Sequence, residues 1–162
     1  MIRARALLIV IGTLAVTAAT FAQTPSFAGK WTLVPDPGVG VNGGSLGDSA
    51  VITQDATTLT VVRSTPAGEF TSVYKLDGSE SRNSLTVQGS KIEQSSRAKW
   101  NGKTLHIETT MTVEGKPLNV TTDLALDASG NLIATSFHPE VGVDRRIHAE
   151  FVSIATNAKE SV

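Results

Sequence analysis

Two His-x-Glu pairs are the residues in this sequence whose types and spacing could support metal or acid–base chemistry. His106 and Glu108 lie in KTLHIETTMTV, and His148 and Glu150 lie in RRIHAEFVSI. Residues i and i+2 share one face of a β-strand, so each pair could present an imidazole beside a carboxylate. A shared metal site would need the two strands to be neighbours, which the sequence does not establish. We favour the alternative, a solvated outer face, and predict no metal site.

Other polar motifs fit loop chemistry better than catalysis. Residues 43–47 match the letters of a G-x-S-x-G nucleophile elbow around Ser45, but a glycine-rich loop precedes them and a strand pattern follows. The elbow requires a strand and then a helix. His138 precedes a proline in a loop pattern, and Asp77 and Glu80 lie among turn residues. We therefore predict no catalytic residues, no cofactor and no enzyme activity.

Apolar and polar residues alternate through 103–113, and the run 116–126 repeats the pattern. The apolar positions are Leu105, Ile107, Met111 and Val113 in the first run and Leu118, Val120, Leu124 and Leu126 in the second. Period two with one apolar face indicates strands with one buried side and one solvated side. Each buried large apolar side chain contributes roughly 1.5–3 kcal/mol, which fixes the register. His106 and Glu108 are therefore predicted to face solvent.

Ten such runs predict an all-β fold, a single antiparallel up-and-down barrel of about 8–10 strands. The runs cover residues 30–34, 49–54, 57–63, 69–76, 83–87, 91–100, 103–113, 116–126, 131–137 and 145–154. Turn residues separate them, most clearly at Asn101-Gly102, which suits a type I′ hairpin. Tight turns imply antiparallel neighbours, and closure removes exposed sheet edges. The glycine-rich stretch 35–47 is predicted to be a loop that could cover one barrel mouth.

Residues 1–22 carry the pattern of a secretory signal peptide. A positively charged start precedes an apolar run, 6–19, of roughly 14 residues, which is typical of signal peptides and short for a membrane span. Thr20 and Ala22 supply small residues at a cleavage site. We predict a mature domain at 23–162 that is secreted or periplasmic and has no membrane span; the alternative is an uncleaved anchor.

Composition narrows the classes of function. The chain has 162 residues, 14 basic and 15 acidic side chains, a net charge of −1 and 5% aromatic residues. This balance gives no basic surface for nucleic acid and few rings for stacking bases. The chain has no cysteine, which excludes disulfides, thiolate zinc sites and cysteine nucleophiles.

The opening of the mature domain, FAGKWTLVPD, contains a G-x-W motif that ends at Trp31, and Asp144, Arg145 and Arg146 open the last run. This pairing resembles lipocalins and related calycins. The segments VITQDATTLTVVR, YKLDGSESRN and SRAKWNGKTLHIETT also resemble small exported bacterial proteins of lipocalin-like barrel type, over most of the mature chain. The resemblance implies that Trp31 closes one barrel end and that Arg145 or Arg146 packs across its indole, as a guanidinium can.

A small barrel is either filled with side chains or holds one small ligand, and the sequence leaves both alternatives open. The inward residues predicted to contact a ligand are Phe70, Tyr74, Trp100, Leu105, Ile107, Met111 and Phe151. Further predicted inward residues are Leu59, Val61, Leu118 and Val120. The favoured function is an exported lipocalin-like binding protein for a small, largely apolar molecule. The alternative is a cell-envelope structural or protein-interaction module with a filled barrel and no ligand.

Overall fold

The structure, a computed structural model, describes residues 24–35, 46–87, 89–113, 115–137 and 146–154. The predicted signal peptide at 1–22, residues 36–45 of the predicted lid loop, Ser45 within them, and His138 lie outside the described residues. The predicted fold class is confirmed, because the described chain forms ten antiparallel strands in up-and-down order. Within the described ranges, no helix is long and apolar enough to cross a membrane.

The strands are β1 Gly29–Leu33, β2 Ser49–Gln54, β3 Thr58–Thr65, β4 Gly68–Lys75, β5 Asp77–Val87, β6 Ser90–Asn101, β7 Thr104–Val113, β8 Lys116–Leu126, β9 Leu132–Phe137 and β10 Arg146–Ser153. The predicted strand boundaries hold to within two residues everywhere except at the start of β5. Alternation and turn residues are both local signals, which explains why these boundaries could be predicted.

The start of β5 corrects a prediction. Asp77 and Gly78 were expected to form a turn, but β5 already begins at Asp77. Glu80, expected to be solvated, keeps a side chain that is 36% exposed. Gly78 adopts a φ of +83° beside a register shift in the pairing of β5 with β6, so it serves a bulge inside the strand. Glu80 accepts hydrogen bonds from Arg82 Nε at 2.8 Å and Ser95 Oγ at 3.0 Å. These bonds, that of Arg82 first, lower the pKa of Glu80.

Backbone hydrogen bonds join the strands in the order β4-β3-β2-β1-β10-β9-β8-β7-β6-β5. The two strands at the ends of this order, β4 and β5, follow each other in the chain and are separated by Leu76 alone. They come together as the sheet curls, so the barrel is nearly closed and has one seam, between β4 and β5. One end of the barrel, where β1 begins, is called the plugged end below, and the other the opposite end.

Side chains of β5 replace the missing backbone ladder at this seam. The Val73 N–H donates to Asn83 Oδ1 at 2.8 Å, and Asn83 Nδ2 donates to the Val73 carbonyl at 3.1 Å. The Lys75 N–H donates to Ser81 Oγ at 2.8 Å. Asn83 and Ser81 are buried. The Asn83 amide thus offers one acceptor and one donor to a single residue of the β4 edge, as a paired strand would.

Alternation places the apolar core inside the barrel and confirms that His106 lies outside. Leu105 and Ile107 are buried, whereas the His106 side chain is 40% exposed and Glu108 is exposed as well. The end of the predicted lid loop is also anchored inside, because Leu46 belongs to the buried core. The core residues are Phe27, Trp31, Leu33, Leu46, Ala50, Ile52, Leu59, Val61, Tyr74, Leu76, Ala98, Leu105, Ile107, Leu124, Leu132, Ala134 and Phe151.

We expect Asn83→Asp to destabilise the seam. The change keeps the shape of the side chain but replaces the Nδ2 donor with a carboxylate oxygen, which faces the Val73 carbonyl in a buried position. The free energy of unfolding should therefore fall by about 2–4 kcal/mol at pH 7. The loss should be smaller at pH 4, where a protonated carboxyl can donate again. Urea unfolding followed by tryptophan fluorescence measures both values.

The matched control for the seam is Asn101→Asp. Asn101 is exposed at the end of β6, where it pairs with Thr104 across the two-residue turn Gly102-Lys103, so this change should alter the free energy of unfolding by less than about 0.5 kcal/mol. Equal stability of Asn83→Asp and the parent protein at both pH values would contradict the role given to Asn83.

Candidate functional site

The chain segment before β1 folds across one end of the barrel and plugs it with Phe27, which has no exposed surface. The Phe27 ring stacks on Trp100, with centroids 5.5 Å apart, and its carbonyl accepts a 2.8 Å hydrogen bond from Trp31 Nε1. The Gln54 amide fixes the segment: its Oε1 accepts from the Phe27 N–H at 2.9 Å, and its Nε2 donates to the Pro25 carbonyl at 3.1 Å. Apolar packing and satisfied backbone groups therefore close this end.

Trp31 lies at the closed end, as the lipocalin resemblance implies, but the register separates it from Arg146. Trp31 is opposite Ser153 on β10, whereas Arg146 is opposite Phe137 at the other end of that strand. Seven residues of strand span roughly 23 Å. This register does not favour packing of Arg146 on the Trp31 indole. The side chains of Arg145 and Arg146 lie outside the described residues, so their closure role stays a prediction.

The seven residues predicted to contact a ligand do not share one environment. Four of them are buried in the apolar core: Tyr74, Leu105, Ile107 and Phe151. Trp100 is half-buried against Phe27 at the plugged end. Phe70 and Met111 follow the inward parity of β4 and β7 near the opposite end and are also half-buried. The ligand role of all seven stays a prediction, and only Phe70 and Met111 combine an inward position at that end with exposure.

Further inward apolar side chains at the opposite end are only partly buried. Ile92 and Leu118 are half-buried at inward positions of β6 and β8, and Leu118 pairs with Met111 across β7 and β8. Arg63 on β3 is half-buried, and its guanidinium lies 5.7 Å from the centre of the Phe70 ring. Among the described residues, the inner surface at this end therefore carries apolar side chains with the Arg63 cation at its edge.

Between the two ends, neutral polar side chains cross the interior on six consecutive strands, β4 to β9. This polar belt consists of Ser72, Ser81, Asn83, Gln94, Ser96, Thr109, Thr122 and Ser136. The alternation of apolar residues does not predict the belt, because the inward residues that form it are polar. A signal was present: Thr109 and Thr122 occupy the inward positions between Ile107 and Met111 and between Val120 and Leu124.

Most of the polar belt is internally satisfied. Ser96 Oγ and Thr109 Oγ1 lie 2.9 Å apart, and Thr122 Oγ1 and Ser136 Oγ lie 3.3 Å apart. Ser81 and Asn83 bind the seam. Ser72 Oγ, by contrast, is buried and has no hydrogen-bond partner in the structure. A buried hydroxyl without a partner is costly, by about 1–3 kcal/mol, so its presence requires an explanation.

His106 forms a charged cluster on the outer face. Its Nδ1 lies 2.6 Å from Asp123 Oδ1, on the neighbouring strand, and its Nε2 lies 3.5 Å from Glu108 Oε1. The hydrogen bond to Asp123 raises the pKa of His106; burial opposes this effect, and the Asp123 charge and Glu108 add to it. Because both ring nitrogens face carboxylates, the cluster stabilises an imidazolium instead of directing a base at a hydroxyl.

The shared metal site considered for the two His-x-Glu pairs requires adjacent strands, and they are not adjacent. β8 and β9 lie between β7, which carries His106, and β10, which carries His148. The side chain of His148 lies outside the described residues. Among the side chains that are described, no group of three or more His, Asp or Glu residues is arranged to hold a metal ion.

No protein family model and no curated protein matches this chain. The lipocalin-like resemblance therefore stays a prediction carried by the motifs quoted above. What constrains function is the geometry of the barrel: a plugged end, a seam, a polar belt and an opposite end with a wet apolar lining.

We expect the pKa of His106 to fall more in Asp123→Asn than in Glu108→Gln, because the Asp123 hydrogen bond is its largest cause. The folded pKa exceeds the unfolded value of about 6.5, so the stability that His106 contributes is complete below that pH. It is lost as pH rises through the raised folded pKa. An NMR titration of the ring protons measures each pKa.

The control for this titration is Glu93→Gln, which removes a carboxylate of β6 that pairs with Lys91 on the same strand and should leave the pKa of His106 on β7 unchanged. A His106 pKa at or below 6.5 in the parent protein, or a larger effect of Glu108→Gln than of Asp123→Asn, would contradict the assignment.

Proposed function

We propose that this protein is an exported barrel that binds one small, largely apolar molecule through the end opposite the plug. The observation that carries the proposal is the wet apolar lining at that end, formed by Phe70, Ile92, Met111 and Leu118. Inward apolar side chains at the plugged end belong to the buried core or, like Trp100 and Leu126, are half-buried against it, whereas these four are half-buried apart from it. An apolar lining with a few polar groups is the usual character of small-molecule sites.

Export is supported by the N-terminal sequence. A positively charged start, an apolar run and small residues before Gln23 form the pattern that a signal peptidase recognises. The absence of cysteine also suits an oxidising compartment, because the chain cannot mispair thiols there. The motif resemblance to exported lipocalin-like barrels agrees with both points.

Native mass spectrometry of protein purified from its own compartment tests the proposal directly. We expect a chain that begins at Gln23 and carries a non-covalent small molecule. A panel of hydrophobic dyes and fatty acids should bind to the delipidated protein. Arrival without a bound molecule, together with failure of the whole panel, would remove the binding function.

We expect Phe70→Ala to weaken binding of a neutral hydrophobic dye about tenfold, because it removes a ring worth roughly 1.5 kcal/mol of contact from the proposed site. Val73→Ala is the matched control. Val73 lies three positions further along β4 on the outer face, 40% exposed, and its removal should leave dye affinity unchanged. Dye fluorescence titration measures both; equal effects of the two variants would place the dye outside the barrel.

A second candidate function, an envelope module that binds another protein, is favoured by one observation on the outer surface. Val152 and Ile154 at the end of β10, Val51 on β2 and Val73 on β4 are all at least 40% exposed, and Val62 on β3 is half-buried between the last two. Exposed apolar side chains on neighbouring strands are common at interaction sites.

We expect this outer surface to be dispensable for ligand binding. Val51→Lys should leave dye affinity unchanged, because Val51 faces away from the barrel interior. A stoichiometric protein complex in native mass spectra that is lost in Val51→Lys and kept in Glu93→Gln would favour the second candidate, provided that the barrel binds no small molecule.

A further inference from the structure

Every buried polar side chain in the described part of the chain is neutral. Burying a carboxylate or an ammonium without a partner costs far more than burying a hydroxyl, whereas hydroxyls and amides are tolerated when hydrogen-bonded. The polar belt therefore suits a neutral hydrogen-bonding group and not an ion. Its members on β8 and β9, Thr122 and Ser136, lie far from the seam, so seam closure alone does not account for the belt.

Ser72 is the residue of the polar belt whose side-chain hydrogen bonding is incomplete. It is 1% exposed, its Oγ has no partner, and it follows the inward parity of β4 opposite Val61. Phe70, the next inward residue of β4 towards the opposite end, is half-buried. Two residues of a strand span about 7 Å, so Ser72 lies about 7 Å further into the barrel than Phe70, which lines the proposed site.

We propose that the ligand is a neutral amphiphile, an apolar body with a hydroxyl or carbonyl group, and that this group hydrogen-bonds to Ser72 Oγ. The inference rests on the proposed function and names its ligand class. A serine hydroxyl both donates and accepts, so it can bind an alcohol or a carbonyl oxygen. The apolar body would lie against Phe70, Met111 and Leu118 nearer the opposite end.

The competing class, an amphiphile with an anionic head, would be held by Arg63 instead. Arg63 is the half-buried cation at the edge of the site, but its guanidinium already lies over Phe70 and is engaged with other groups. An anion that moved deeper, to the level of Ser72, would enter a region whose buried polar groups are neutral. The arrangement therefore favours a neutral head over an anionic one.

Ser72 has almost no exposed surface, so a ligand must displace protein to reach it. β4 is the strand best placed to move. It pairs with β3 along its whole length, but on the seam side its hydrogen bonds come from Asn83 and Ser81 side chains at Val73 and Lys75. These bonds lie beyond Ser72 towards the plugged end, which leaves the Phe70 half of β4 freer to shift outward.

Displacement of a neutral hydrophobic dye by 1-decanol and by decanoate at pH 7.5 tests the inference, because the two probes have ten carbons each and differ in the head group. We expect decanol to bind at least about tenfold more tightly than decanoate. In Ser72→Ala, decanol should lose about five- to tenfold in affinity, as expected for one hydrogen bond, with dye affinity unchanged.

Ser96→Ala is the matched control, since it removes the same atom from the same belt at a hydroxyl already paired with Thr109. It should keep the ratio of decanol to decanoate affinity and lower the urea midpoint. Ser72→Ala should not lower that midpoint, because it removes an unpartnered group. Decanoate binding as tight as decanol, or an unchanged ratio in Ser72→Ala, would overturn the inference while dye binding stands. Failure of the dye and both probes would instead overturn the proposed function.

Discussion

The barrel depends on two amide side chains that each bind a backbone N–H and a backbone carbonyl where no strand is available to do so. Asn83 joins both polar groups of Val73 across the seam, and Gln54 joins the Phe27 N–H and the Pro25 carbonyl at the plugged end. A side-chain amide carries the same donor and acceptor as a peptide unit, so it can complete a ladder without adding a strand. Buried backbone groups must be paired somewhere, and these residues supply the partners.

This way of closing the barrel determines the character of the interior. The inward residues of β5 must be polar where they bind the β4 edge, which accounts for Ser81 and Asn83. The same requirement does not apply to β8 and β9, whose backbones are paired on both sides, yet Thr122 and Ser136 are buried there. Hydroxyls in a fully paired region add no closure and need one another as partners. Closure of the seam therefore does not account for them.

The sequence was sufficient to predict those strands that follow a local pattern of apolar and polar residues. Strands with a mostly apolar inward face, such as β7 and β8 with one inward threonine each, could be predicted because burial and alternation largely coincide. The first half of β5, before Asn83, could not, because its inward residue Ser81 is polar and the stretch that contains it was interpreted as turn residues. The packing of Arg145 or Arg146 on Trp31 was inferred from a family resemblance and stays a prediction, because the side chains of both arginines lie outside the described residues. The polar belt could not be predicted for the same reason as the first half of β5, because its inward residues are polar.

Hydrogen-bond satisfaction distinguishes the His106 cluster on the outer face from Ser72 in the interior. On the outer face, the ring nitrogens of His106 are occupied by Asp123 and Glu108, so the cluster is complete as a surface ion network and leaves nothing for a ligand to supply. Inside the barrel, Ser72 is buried with an unused hydroxyl, a state that costs free energy in the protein alone. Replacing that serine by alanine would relieve the cost without a large change in volume. A ligand that supplied this hydroxyl with a hydrogen-bond partner would remove that cost, so the function we propose lies in the interior and not at the histidine.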